Sequence, residues 1–197
     1  DVIAISSIDE EASSVQFDLA TMNGIPIVAF ESGNTYQGIQ CTCSTDNKKA
    51  AQTAAQKLCS AINEDGDVIL VVPDSVSKSS KDQVSAFREE LFSNHLGVNL
   101  ADVIYMDQLD DMKRQAAAEQ LDIEYDEVVK AAEVVSGEEN ASESEEEAVQ
   151  QAAELLEKVD AEAEKMDDED VVAWCFEQKP DLKGCLGTSE EATQLIL

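Results

Sequence analysis

The sequence predicts an α/β fold with three layers, in which a doubly wound parallel sheet is covered by helices on both faces. Short apolar segments alternate with segments of about 10–15 residues whose apolar positions have helical spacing. Residues 68–72 are apolar throughout, which is typical of a central parallel strand that is buried on both sides. We therefore expect β-α-β units joined by right-handed crossovers.

The beginning of the chain contains three predicted strands, which are residues 2–5, 25–30 and 40–45. The first of them is an apolar run that we expect to be buried. A helix is predicted over residues 13–20, and it ends at the pair Asn23-Gly24, a common helix C-terminus. Its apolar residues at helical spacing are Val15, Leu19 and Met22.

Further β-α units follow. Asp46 is expected to be the N-cap of a helix whose inner face is rich in alanine. Ser80 and Gln83 predict a capping box at the start of the next helix. The apolar stripe of that helix is Val84, Phe87, Leu91 and Phe92. The remaining predicted elements are a strand at 103–106, a helix at 167–178, a strand at 183–188 and a helix from 190 onward.

The net charge of −30 comes mainly from one segment. Residues 107–170 hold 24 acidic and 5 basic side chains, a net charge of −19. An acidic chain disfavours binding to nucleic acid or to an anionic membrane surface, because both attract Lys and Arg. The apolar runs are also far shorter than the roughly 20 residues that span a bilayer. We therefore expect neither nucleic acid nor membrane as a partner.

We interpret residues 107–166 as an acidic helical insertion. Ser144 and Glu147 predict a capping box at the start of its last helix. The narrow apolar stripe of that helix fits antiparallel helix pairing, and it consists of Ala148, Ala152, Leu155, Val159, Ala163 and Met166. Three roles stay open: a solvated appendage, an arm that docks on a partner, and a Ca²⁺ site at 167–170, which lacks the D-x-[DN]-x-[DN]-G loop.

The five cysteines are Cys41, Cys43, Cys59, Cys175 and Cys185. Their number is odd, they contain no C-x-x-C pair, and the single histidine, His95, is distant in the sequence. We expect buried thiols rather than a disulfide, and we predict no metal and no cofactor. No catalytic residues are predicted either, because no motif assembles a nucleophile, a base and an orienting group.

Several short segments, taken in order, resemble type 1 periplasmic sugar-binding proteins, the ribose- and galactose-type receptors of ABC transporters. The segments are D-V-I-A-I-S-S-I-D at 1–9, G-I-P-I-V at 24–28, S-T-D-N at 44–47, K-P-D-L-K-G at 179–184 and G-T-S-E at 187–190. The resemblance covers roughly residues 1–106 and 167–197. The same fold forms the effector domains of lactose-repressor-type regulators.

This resemblance implies two α/β lobes with the ligand clamped between them. Residues 1–44 would be part of lobe one, and residues 45–197 would be most of lobe two, with the insertion at 107–166. On this pattern we expect the sequence to be a fragment of a longer protein.

The resemblance also implies the ligand-binding residues, which lie near strand ends. Ser6 stands where the family often has Asn, and Glu31 and Ser32 stand where it often has Asp-Arg. Gln83 lies near a family Arg. The full predicted set is Ser6, Glu31, Ser32, Asp46, Gln83, Ser189 and Glu190. The absence of both arginines argues against a ribose-like pentose and leaves a polyol, another sugar or a larger solute.

Two other interpretations of the site residues stay open. Ser6, Asp46 and Ser189 are equally well explained as turn or N-cap residues. Tyr36 could stack on a sugar ring or pack on its own lobe.

The resemblance implies an extracytoplasmic receptor, either periplasmic or a cell-surface lipoprotein, that delivers a sugar or polyol to an ABC transporter permease. The alternatives are a cytoplasmic effector-binding domain of a lactose-repressor-type regulator, and a sensor or scaffold domain without transport. A lipobox or signal peptide upstream would favour the receptor, and a helix-turn-helix would favour the regulator. The acidity also favours the receptor, because it opposes approach to DNA.

Overall fold

The computed structural model describes residues 1–9, 11–137 and 143–197, with the side chains of 143–146 left aside. The chain divides into two compact units, one formed by residues 1–107 with 179–197 and the other by residues 108–178. Within the described ranges, none of the helices combines the length and the apolar character that crossing a membrane requires.

The first unit contains two parallel three-stranded sheets. The first sheet has the order β1-β2-β3, with β1 at Ile3–Ile5, β2 at Ile27–Phe30 and β3 at Ile39–Cys43. Helix α1, Ser14–Met22, lies between β1 and β2 in the chain. The helix and the sheet pack through Phe17, Ala20 and Ile27.

The apolar residues whose helical spacing predicts α1 are not the ones that it buries. Val15, Leu19 and Met22 are exposed, whereas Phe17 and Ala20 are buried. Helical spacing suits both sets, so spacing alone could not choose the face. The buried face is the one that holds the aromatic ring of Phe17, which has the largest apolar area of any single side chain on this helix.

Strand β1 is half-buried rather than buried as predicted. The reason is its position at the edge of the sheet, where it pairs with β2 alone among the described strands. Cys41 and Cys43 on β3 are also exposed, contrary to the expectation of buried thiols. Strand β3 is the other edge, and residues 40–43 are exposed on both of its faces.

The remaining cysteines fit the prediction more closely, since Cys59 and Cys175 are buried and Cys185 is half-buried. None of the five cysteines, all of which are described, forms a disulfide.

The second sheet has the order β5-β4-β6. Its strands are β4 at Gly66–Val72, β5 at Val98–Tyr105 and β6 at Leu182–Gly187. Residues 68–72 of β4 are fully buried, which confirms the predicted central strand. Helices α2 and α3, at Asn47–Ala61 and Lys78–Asn94, pack on this sheet, and the short helix α8, Glu190–Gln194, follows β6.

Helix α3 begins earlier than the sequence predicts. Its N-cap is Ser77, whose hydroxyl accepts a hydrogen bond from the backbone N–H of Ser80. The Asp74 carboxylate accepts hydrogen bonds from Ser77 and fixes it in this role. Phe92 is exposed rather than part of the apolar stripe, because it lies one residue beyond Leu91 and therefore points away from that face.

In its described residues the second unit is a bundle of four helices, namely α4 at Leu109–Gln120, α5 at Tyr125–Ser136, α6 at Glu143–Ala163 and α7 at Asp168–Glu177. The predicted stripe on α6 is confirmed at its centre and end. Ala152, Val159 and Ala163 are buried, whereas Ala148 is exposed. The sequence also predicts a break at 137–140; Gly137 is the C-cap of α5, whereas residues 138–140 and the side chain of Ser144 lie outside the described residues.

Two of the four acidic residues at 167–170 have a local role. Asp167 is the N-cap of α7 and forms a capping box with Asp170, in which each side chain accepts a hydrogen bond from the other residue's backbone N–H. These carboxylates therefore stabilise the start of a helix.

Candidate ligand-binding site

Polar residues follow the carboxyl end of each of the parallel strands. Ser6 comes after β1, Glu31 and Ser32 come after β2, and Ser75 comes shortly after β4. Open parallel sheets bind their ligands at this edge. The polar edge of the two sheets in the first unit is therefore the candidate site.

Two of the predicted residues meet at the end of the first sheet. The Ser6 hydroxyl donates a hydrogen bond of 3.2 Å to Glu31 Oε2. Glu31 has a left-handed backbone with φ of 56°, which costs about 1 kcal/mol in a residue other than glycine. Its N–H donates to the carbonyl of Cys43 at 3.0 Å, which ties the turn to the end of β3.

The loop that follows is held by buried hydrogen bonds. Asn34 Nδ2 donates to the Ser7 hydroxyl at 3.1 Å, and its Oδ1 accepts from the N–H of Tyr36. The Tyr36 ring packs on Phe17 with the ring centres 5.3 Å apart, and its hydroxyl donates to Asp18. Tyr36 therefore packs on its own sheet and helix, one of the two interpretations that the sequence left open.

A serine contact joins the ends of the two sheets. Ser32 Oγ, after β2, lies 3.1 Å from Ser79 Oγ, in the first turn of α3 after β4. Ser79 Oγ also lies 3.1 Å from the Ser77 hydroxyl. Hydroxyl groups that both donate and accept are thus concentrated where the two polar edges meet.

A cavity of about 150 Å³ lies among α2, α3 and strands β4 and β6. Gln83 and Thr188 provide its polar side chains, and the other lining residues are Ala50, Ala51, Ala54, Leu70, Phe87, Leu186 and Gly187. The Thr188 hydroxyl is buried and has no hydrogen-bond partner among the described residues. Thr188 is not among the predicted ligand-binding residues, although its place directly after β6 is the signal that could have identified it.

The loops after β4 and β5 also hold Ser75 and Asp107, two strand-end polar residues outside the predicted ligand-binding set. The N–H and hydroxyl of Ser75 both donate to Asp107 Oδ2, at 3.0 and 2.9 Å. Asp74 accepts hydrogen bonds from Val76 and Ser77. These bonds shape the loop edge around the N-terminus of α3.

The other predicted residues have local partners. Asp46 caps α2 by accepting from the N–H of Lys49 at 3.0 Å, and Ser189 caps α8 by accepting from the N–H of Ala192 at 3.0 Å. Glu190 is exposed in the first turn of α8. Gln83 Nε2 donates to Asn47 Oδ1 at 3.5 Å. A role of these residues in ligand binding stays a prediction.

The model of a protein family described as "periplasmic binding protein domain" matches residues 1–127. The match covers more than half of the chain, so this protein belongs to that family. The two parallel sheets with their helices have the type 1 periplasmic binding protein fold, which confirms the predicted fold class. A comparison with curated proteins found no match.

Solved structures have a similar fold. A carbohydrate transporter solute binding protein from Agrobacterium radiobacter, in complex with D-arabinose, is 22% identical with a TM-score of 0.52 over 61% of this chain and 42% of that chain. An ABC transporter solute binding protein from Clostridium phytofermentas with bound L-rhamnose is 19% identical, with a TM-score of 0.51 over 61% and 37% of the two chains.

A third structure, the fructose binding periplasmic domain of a hybrid two-component system, is 15% identical with a TM-score of 0.52 over 61% and 40% of the two chains. The present chain thus spans less than half the length of these structures.

Proposed function

We propose that this protein is an extracytoplasmic solute-binding protein that captures a sugar or polyol between two lobes for an ABC importer. Residues 1–44 would contribute to lobe one, and residues 45–197 would form most of lobe two, with 107–166 as an insertion. The observation that carries the proposal is the contact between Ser32 and Ser79, which joins the carboxyl edges of two separate parallel sheets.

The chemistry of this edge suits a neutral polyhydroxylated ligand. Each sugar hydroxyl donates one hydrogen bond and accepts others, and serine hydroxyls can match either role. The Glu31 carboxylate, which accepts from Ser6, has further acceptor capacity for a ligand hydroxyl, and Gln83 offers both an amide donor and a carbonyl acceptor. The role is binding rather than catalysis, because these groups bind and orient hydroxyls and none is placed as an activated nucleophile.

The similar structures support the class of ligand, since two of them hold D-arabinose and L-rhamnose. The permease partner and the extracytoplasmic location belong to the proposal because these structures are solute binding proteins of transporters. A sensor domain is the second candidate, because the fructose-binding domain with a similar fold is part of a two-component system.

Thermal unfolding in the presence of aldopentoses, ketoses, deoxyhexoses and polyols tests the proposal. A ligand at 100 times its Kd stabilises the folded state by about 2.7 kcal/mol. For a chain of this size that corresponds to a rise in Tm of about 5–10 °C. A saturable rise with one sugar or polyol is the expected result, and no rise with any of them would overturn the proposal.

Uptake measurements separate the importer from the sensor. Cells that lack the protein should lose high-affinity uptake of the identified sugar if it serves an importer. Unchanged uptake, together with lost sugar-dependent gene expression, would favour the sensor.

A further inference from the structure

Three side chains of metal-binding type lie together at the amino ends of β4 and β5. They are Cys59 near the end of α2, Glu64 in the following loop and His95 at the C-cap of α3, and one donor atom of each lies within 4.8 Å of the others. Strand β4 begins at Gly66 and β5 begins at Val98. This cluster is therefore at the edge of the second sheet opposite to the candidate ligand site.

We propose that Cys59, Glu64 and His95 form a binding site for a divalent cation of the zinc type. Sulfur, imidazole nitrogen and carboxylate oxygen are the donors that Zn²⁺ takes in proteins, often three from the protein with a fourth position for water. The sulfur donor selects against Mg²⁺ and Ca²⁺, which prefer oxygen ligands.

The spacing of the donor atoms is close to that of a zinc site. With bonds of about 2.0–2.3 Å, tetrahedral donors lie about 3.3–3.8 Å apart. The donors of this cluster lie at most 4.8 Å apart. Side-chain rotations that move the donor atoms by about 1 Å would therefore complete the tetrahedral geometry. The hydrogen bond between His95 Nδ1 and Glu64 Oε2 would break as both atoms bind the cation.

The second nitrogen of His95 provides independent support. His95 Nε2 is buried, has no hydrogen-bond partner among the described residues, and lies 3.6 Å from Glu90 Oε1. With a cation on Nδ1 the proton resides on Nε2, and Nε2–H then donates toward the Glu90 carboxylate. A carboxylate that holds the outer N–H of a ligating histidine is typical of zinc sites.

Glu90 is fixed in a position that suits this role. Its Oε1 accepts a hydrogen bond of 2.9 Å from Gln56 Nε2 and one of 3.0 Å from Asn94 Nδ2. The carboxylate is almost fully buried among these groups. Gln56 and Asn94 hold the Glu90 carboxylate in place, and the carboxylate can in turn orient the imidazole of His95.

The loop that carries Glu64 is held against both helix ends. Glu64 has φ of 62°, and its N–H donates to the carbonyl of Cys59 at 2.9 Å. A Cβ on Gly97 would lie only 2.3 Å from the Glu64 carbonyl oxygen, so glycine permits this close approach. The backbone thus brings the three ligands together before any cation binds, which lowers the entropic cost of binding.

The buried Cys59 thiol determines the free-energy cost of binding a cation, because it must lose its proton. Burial raises the pKa of the Cys59 thiol, and the charge of Glu64 raises it further. Cation binding must therefore displace the thiol proton. Glu64 is half-exposed and offers the entry path from solvent.

Metal titration of the EDTA-dialysed protein tests the proposal. ZnCl₂ is added in the presence of excess CaCl₂, which occupies the exposed carboxylates of this acidic chain. One tightly bound Zn²⁺ per chain is expected, and CoCl₂ in its place should produce thiolate-to-cobalt charge-transfer absorption. Glu90→Gln keeps all three ligands and should weaken binding about tenfold.

Matched variants decide which residues bind. Cys59→Ser should remove the charge-transfer absorption, whereas the double variant Cys41→Ser/Cys43→Ser should keep it, since those exposed thiols are the competing candidates. His95→Gln and Glu64→Gln should each weaken Zn²⁺ binding at least tenfold and decide the matter if Cys59→Ser does not fold. Absence of tight binding, wild-type affinity in His95→Gln, or absorption lost only in the double variant would overturn the proposal.

Discussion

Ser32 Oγ lies 3.1 Å from Ser79 Oγ, although the two residues follow strands of different sheets in the first unit. Ser32 follows β2 and Ser79 lies in the first turn of α3. The hydrogen bond between the two serine hydroxyls can be exchanged for hydrogen bonds from both serines to one sugar hydroxyl. The contact therefore marks where residues of both sheets can reach one ligand.

Gly187 is expected to be essential for packing near this edge. A Cβ there would lie 2.5 Å from Thr193 N and 2.7 Å from the carbonyl carbon of Ala192, and these backbone atoms belong to α8. Gly187→Ala should lower the free energy of unfolding by about 1–3 kcal/mol, measured by urea denaturation. Gly137→Ala is the control, because its nearest contact is an ordinary 3.4 Å. Equal effects of the two variants would contradict the packing argument.

Val159 is expected to anchor the helical bundle of the second unit. Its side chain is fully buried against Ala117, Ala118 and Val128. Val159→Ala should destabilise this unit by about 2 kcal/mol. Val129→Ala makes the same change at an exposed helical position, 42% accessible, and should stay within about 0.5 kcal/mol.

Fluorescence of Trp174, the single tryptophan, reports the unfolding of this bundle because the residue lies on α7. A Val159→Ala variant as stable as Val129→Ala would show that the stripe on α6 does not form the core.

The ion pair of Asp65 and Lys183 should make stability depend on pH. Lys183 Nζ lies 2.6 Å from Asp65 Oδ2, and its hydrogen bond and charge lower the pKa of that carboxyl. A carboxyl with a lowered folded pKa adds stability above its unfolded value of about 3.9, and this is lost as the pH falls through the folded pKa. The stabilisation is therefore present at neutral pH and absent in strong acid.

Lys183→Met tests this dependence and keeps the aliphatic stem that lies against Gly66. The variant should unfold more easily than wild type at pH 7, and the difference should shrink below about pH 4. Lys158→Met removes an exposed charge on α6 and serves as the control. A difference that is the same at pH 7 and in acid would contradict the role of the pair.

Features set by local sequence could be predicted. The apolar run of β4, the N-cap at Asp46 and the buried Val159 each follow from nearest-neighbour chemistry or from helical period. The helix cap at Ser77 was displaced by one turn because the serine-rich segment offers several caps. Both the backbone N–H and the hydroxyl of Ser77 donate to the Asp74 carboxylate, a contact that the serine pattern does not reveal.

Features set by tertiary position could not be predicted. The exposure of Cys41 and Cys43 depends on β3 being an edge strand, and strand order is not encoded in a single strand's pattern. The approach of His95 to Cys59 depends on two helices ending side by side. The contact of Ser32 with Ser79 likewise depends on how two sheets meet, although both serines stand near strand ends.

Titration calorimetry with the sugar or polyol that raises Tm tests the central claim most directly. Ser32→Ala and Ser79→Ala should each weaken binding about 2–10-fold, the equivalent of one lost hydrogen bond. Ser60→Ala, an exposed change on α2, should leave the affinity unchanged. Wild-type affinity in both Ser32→Ala and Ser79→Ala, or no binding of any sugar or polyol, would contradict a ligand site where the two sheets meet.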